Sequence, residues 1–100
     1  MKKVLLVACV MICSHNAIAD DDESRLAAAR RADEQGDLDA ALEQLEPLLE
    51  RDPAQDAFAA AARQQASYIL HRRGVDHFRN ARIRAAIEDY KREMALLPEL

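Results

Sequence analysis

Gly36-Asp37-Leu38-Asp39-Ala40-Ala41-Leu42, running on through Leu45, Leu48 and Leu49 to Asp52-Pro53, is the stretch that decides the fold. Apolar residues recur there three and four apart, the spacing of one buried helical face. Gly36 supplies a stop for a preceding helix, and Asp37 an N-cap for this one. Upstream, Leu26, Ala28, Ala29 and Ala32 carry the same spacing and give a first helix. The acidic run Asp20-Asp21-Asp22-Glu23 is expected to cap its start, where negative charge suits the positive end of the helix dipole. The result is a helix–turn–helix unit of about 34 residues. Pro47 falls inside the second helix, where it removes a hydrogen bond and costs about 3 kcal/mol unless the helix kinks.

Composition agrees with an all-helical chain. Residues 20–100 hold 17 alanines, no threonine, two glycines and four β-branched residues, Ile69, Val75, Ile83 and Ile87, which excludes a β-sheet domain. Residues 1–19 read as a removable leader. Lys2 and Lys3 form a positive start, Val4 to Cys13 is an unbroken apolar run of ten residues, and Ala17-Ile18-Ala19 is a small-x-small cleavage site. Cleavage is expected after Ala19, so the chain is exported, periplasmic or secreted. The apolar run is too short to cross a bilayer, which takes about 20 residues. Both cysteines, Cys9 and Cys13, lie in the leader. The mature chain therefore has no disulfide, no thiolate metal site and no cysteine nucleophile.

A second copy of the unit follows. Gly74, Ala86, Tyr90 and Pro98 stand at the places that Ala29, Ala41, Leu45 and Pro53 hold in the first, and Ile87 repeats Leu42. Asn80-Ala81-Arg82 stands where Gly36-Asp37 should be. Together these residues resemble the tetratricopeptide repeat, whose pattern has a small residue at position 8, Gly-Asp near 15–16, Ala at 20, a large residue at 24 and Pro at 32. The resemblance implies an all-α fold of antiparallel helix–turn–helix repeats, a short piece of an α-solenoid with about four helices. The first repeat covers about 22–55 and the second about 67–100, with an extra helical segment at 56–66.

The extra segment need not be a loop. Phe58, Ala62, Ala66, Leu70, Gly74 and Phe78 form a strict i+4 stripe. Asp52 can cap, Pro53 fits a first helical position and Gln55 completes a capping box. One long helix is expected from about 54 to 79, with a break near Ser67 as the alternative. The turn glycine is missing from the second unit, which leaves Asn80 as the expected left-handed residue. The chain stops two residues past Pro98, so the last helix, with Ile87, Tyr90, Met94 and Leu97, is expected to lack a covering neighbour.

No catalytic constellation is present. Ser24 and Ser67 lack nucleophile-elbow glycines, and there is no phosphate-cradling glycine loop. His71 and His77 are six apart and point to different helix faces, so they cannot share a metal. No catalytic, cofactor or metal residues are expected, and the chain is read as not an enzyme.

Charge is distributed unevenly. Residues 20–56 carry 13 acids and 4 bases, whereas 57–100 carry 5 acids and 8 bases. Arg72, Arg73, Arg79, Arg82 and Arg84 crowd one stretch, which suits either an anionic partner or pairing with acidic neighbours. The concave, peptide-binding face implied by the resemblance holds Glu23, Leu26, Arg30, Asp33 and Glu34 from the first unit. The second contributes Tyr68, His71, Val75, Phe78 and Arg79. The candidate partner-binding residues are thus Leu26, Arg30, Tyr68, His71, Val75, Phe78 and Arg79. The expected function is a non-catalytic exported scaffold that binds a protein or peptide, or itself, with no nucleic acid and no transmembrane segment in the mature chain. Two alternatives stand beside it: the N-terminal helical part of a larger exported enzyme, and an anion-binding helical protein.

Overall fold

Alanine-rich sequence with apolar residues three and four apart folds here into antiparallel helices. The computed structural model describes residues 17–97, with side chains from Asp21 onward. The expected leader residues 1–16, and Pro98, lie outside the described residues. Within them the chain is all-α, with helices α1 (Ala17–Glu34), α2 (Leu38–Leu49), α3 (Ala57–Arg79) and α4 (Ile83–Leu96). Sequential helices pack on one another, and α1 also touches α3. Among the described residues no helix is long and apolar enough to cross a membrane.

The two hairpins close on turns of one design. At the first, Gly36 N–H donates to the Asp33 carbonyl and Asp37 N–H to the Ala32 carbonyl, both at 2.9 Å. At the second, 45 residues on, Ala81 N–H donates to Phe78 at 3.1 Å and Arg82 N–H to His77 at 2.8 Å. These bonds satisfy the last carbonyls of each first helix and require one left-handed residue. Gly36 takes that conformation at φ +79°, and in the second turn Ala81 takes it at φ +59°. Asn80, expected to be the left-handed residue, sits instead at φ −99° and caps α3, donating its side-chain amide to the Asp76 carbonyl at 2.8 Å. Asp37 caps α2, accepting from Ala40 N–H at 3.2 Å. Arg82 stands at the same place on α4 with no side-chain cap bond.

Helix starts differ from expectation in two places. The acidic run Asp20–Glu23 lies inside α1 rather than before it, because the helix begins at Ala17. There Asp21 pairs with Arg25 one turn on. The long helix is unbroken at Ser67, but it starts at Ala57 with Asp56 as its cap, not at Pro53 with Asp52. Asp56 accepts from both Phe58 and Ala59 N–H, while Asp52 closes a separate turn through Ala54 N–H. Arg51 fixes that choice by reaching Asp22 of α1 at 2.7 Å and Asp56 at 3.3 Å. Pro47 is tolerated inside α2 because it lies on the exposed side, where water can serve the carbonyl it leaves free.

The core runs along α2 and α3. Leu45, Leu48, Ile69 and Leu70 are the largest fully buried side chains, packed with Ala29, Ala41, Ala62 and Ala66. Small residues let the helices cross closely: Ala41 is 0% and Ala86 1% exposed. In the second hairpin Gly74 takes the place of Ala29, and a Cβ there would meet the Tyr90 ring at 2.7 Å. A smaller residue faces a larger one across the same crossing. Arg63 of α3 donates to the Leu49 and Leu96 carbonyls, each at 3.4 Å, tying the ends of α2 and α4 together.

Candidate functional site

The lateral packing of α1 on α3 forms a groove of about 630 Å³ lined by Leu26, Arg30 and Asp33 on one side. Ala60, Ala61, Gln64, Gln65 and Tyr68 line the other. A second depression of about 390 Å³ lies at the Gly36 end and is lined by Leu38, His71, Arg72, Val75, Asp76 and Arg79. Between them Arg72 pairs with Asp33 and holds its guanidinium 5.9 Å from the centre of the Tyr68 ring. The ion pair thus joins α1 to α3 and supports one face of an aromatic ring that remains 65% exposed.

The structure gathers most of the expected face. Leu26, Arg30, Asp33 and Tyr68 share the first groove, and His71, Val75 and Arg79 share the second. Phe78 is 61% exposed, so it is not a core residue, yet it lines neither depression. Glu23 and Glu34 are exposed and also lie outside both. Ala60, Ala61, Gln64 and Gln65 extend the face beyond the expected set. They belong to the extra segment, and continuing the Tyr68–Val75–Arg79 face up the helix by three and four residues would have found them.

The arginine-rich stretch is largely neutralised from within. Arg72 pairs with Asp33, Arg73 with Asp39 at 2.9 Å and Asp89 at 2.7 Å, and Arg82 lies 3.9 Å from Asp76. Arg92 also pairs with Glu46 of α2. The basic second half therefore answers the acidic first half inside one chain. Asp89 is only 5% exposed, and its two oxygens accept from Arg73 at 2.8 and 2.7 Å. That two-pronged bond, helped by Asp39, holds the Arg73 guanidinium above its ordinary pKa despite partial burial. The hydrogen bonds that Arg51 donates to Asp22 and then Asp56 raise its own pKa in the same way. Arg30, Arg79, Arg84 and Lys91 make no ion pair among the described residues.

His71 and His77 each meet a carboxylate of α4 rather than one another. His71 lies 3.3 Å from Glu93 and His77 lies 3.7 Å from Asp89. No group of three or more acidic, histidine or cysteine side chains could hold a metal among the described residues. The two depressions are open and lined by apolar, cationic and acidic side chains together. No family model matches the chain, and no curated protein or solved structure matches it either.

Proposed function

We propose that this is an exported, non-catalytic interaction module resembling the tetratricopeptide repeat, whose groove between α1 and α3 receives an extended segment of a partner protein. One observation carries the reading: residues more than thirty positions apart converge on an exposed Tyr68 ring backed by the pinned Arg72. A rigid aromatic held in place loses little entropy on binding and makes an efficient anchor. Gln64 and Gln65 add amide donors and acceptors for a ligand backbone, and Arg30 adds a cation at the groove edge. Export rests on the order of Lys2-Lys3, the apolar run and Ala17-Ile18-Ala19. Scaffolding within a cell envelope follows from that address together with the binding face.

A photo-crosslinking side chain placed at position 68 of the full chain, expressed in its source cell, tests the groove. The same group at Glu43, on the exposed side of α2, is the control. A discrete protein adduct from position 68, absent from position 43 and lost on adding Arg30→Glu, is the expected result. Equal labelling from both positions, or none from 68, rejects the groove. Intact mass of the exported chain checks the address separately, with a start at Asp20 expected.

A further inference from the structure

Residues 83–94 of α4 have counterparts on α2 at an offset of 45, fixed by the matching turn hydrogen bonds. Ile83, Ile87 and Met94 correspond to Leu38, Leu42 and Leu49. On α2 this stripe belongs to the core: Leu42 is 4% and Leu49 8% exposed, with Leu38 packed beside them. On α4 the same stripe is bare, at 47%, 46% and 63%. Helix α3 packs on α2, and no helix stands in its place beyond α4 among the described residues.

The charges beside the stripe are inverted between the two helices. Asp39 and Glu46 accompany it on α2, where they pair with Arg73 of α3 and Arg92 of α4. Their counterparts on α4 are Arg84 and Lys91, both exposed and without an ion pair among the described residues. A neighbour built like α3 and α4 would bring arginine against both.

We propose that the outer face of α4 docks a helix or helical hairpin of a partner protein, one that presents alanine and aliphatic residues as α3 does but bears carboxylates where this chain has Arg73 and Arg92. Burying three bare apolar side chains supplies the attraction, and the inverted charges choose the partner. A second copy stacked head to tail is a poorer occupant. It would set Ala28 and Pro47 at those two places, leaving both cations unanswered. This surface is separate from the groove between α1 and α3, so either assignment can fail alone.

The test uses the full chain and two 23-residue peptides with the α3 sequence (residues 57–79), each stapled into a helix on its solvent side. One peptide is native and the other carries Arg73→Glu. Fluorescence anisotropy at low salt should show the Glu peptide binding about tenfold more tightly, a preference that shrinks as salt rises. Arg84→Glu in the protein should reverse the order. Ile87→Ser with Met94→Ser should abolish binding of both peptides. Arg31→Glu, on the exposed side of α1, should leave the preference intact. Equal affinity for the two peptides, no binding by the Glu peptide, or a preference untouched by Arg84→Glu overturns the proposal. So does a stable wild-type dimer by sedimentation that neither peptide displaces, since a second copy then covers the face.

Discussion

The hairpin of α1 and α2 and the hairpin of α3 and α4 share one backbone turn but furnish it differently. The first has Gly36 in the left-handed position and Asp37 capping the next helix. The second makes the same bonds with Ala81 left-handed and Arg82 uncapped. A left-handed alanine costs about 1–2 kcal/mol, and an empty N-cap about 1 kcal/mol. The second hairpin keeps its shape because tertiary contacts hold it: Arg73 bonded to Asp89, His77 beside the same carboxylate, and Tyr90 seated against Gly74. Where local chemistry is weak, packing and buried ion pairing set the turn.

The helix crossings give the largest expected effects. Ala41→Leu and Ala86→Leu each force a large side chain into a fully closed contact, which costs about 1–3 kcal/mol. Urea unfolding should show both well below Ala95→Leu, on the exposed side of α4. A harmless substitution at either site would mean that the two crossings are not equivalent. Gly74→Ala pushes on the Tyr90 ring, and pairing it with Tyr90→Leu recreates the Ala29–Leu45 contact of the first hairpin. The double variant should be more stable than Gly74→Ala alone.

The turns come next. Gly36→Ala should lose about 1 kcal/mol, whereas Ala81→Gly should be neutral or stabilising by up to about 1 kcal/mol. Asp37→Ala should cost about 1 kcal/mol. Arg82→Ala has no cap bond to lose and should stay within about 0.5 kcal/mol of wild type. If Arg82→Ala costs as much as Asp37→Ala, the contrast between the turns fails.

The first turn was legible because Gly36 and Asp37 announce it through their own chemistry. Fold class and the buried Ala29, Ala41 and Leu45 followed from the same spacing, whereas the expected partner-binding face came from the resemblance to the tetratricopeptide repeat. In the second turn local propensity points one residue short of Ala81, because Asn80 has the better intrinsic left-handed propensity. The 45-residue register places Ala81 there and turns Asn80 to capping. The start of α3 departs from local propensity for a related reason. Asp52-Pro53-Ala54-Gln55 is a good local start, but Arg51 bridging Asp22 and Asp56 is a contact across 29 residues that no local pattern reveals. An uncovered last helix was expected through Ile87 and Met94, but the inverted charges beside that stripe emerge only once both helices are superposed in their observed register.

The smallest expected effect concerns that same cap. Burial works to raise the Asp56 carboxyl pKa, but the Ala59 and Phe58 N–H groups and Arg51 outweigh it and hold the group below its ordinary value. Its contribution to stability is therefore present above the ordinary carboxylate range near about pH 4 and is lost as pH falls through the depressed native value. Asp56→Asn keeps an accepting oxygen and does not titrate. Thermal melts between pH 7 and pH 2 should show a shallower acid loss for Asp56→Asn than for wild type. An identical acid limb would mean that Asp56 is not held by these bonds.

The most direct measurement is the melting temperature of the full chain carrying Ala81→Gly and Arg82→Asn together. Asparagine is used because Asp76 lies 3.9 Å from Arg82, and a second carboxylate there would add repulsion. If the second turn is the first one with its local chemistry removed, restoring that chemistry should gain about 1–2 kcal/mol, a rise of about 5–10 °C. An unchanged or lowered melting temperature would contradict the equivalence of the two hairpins.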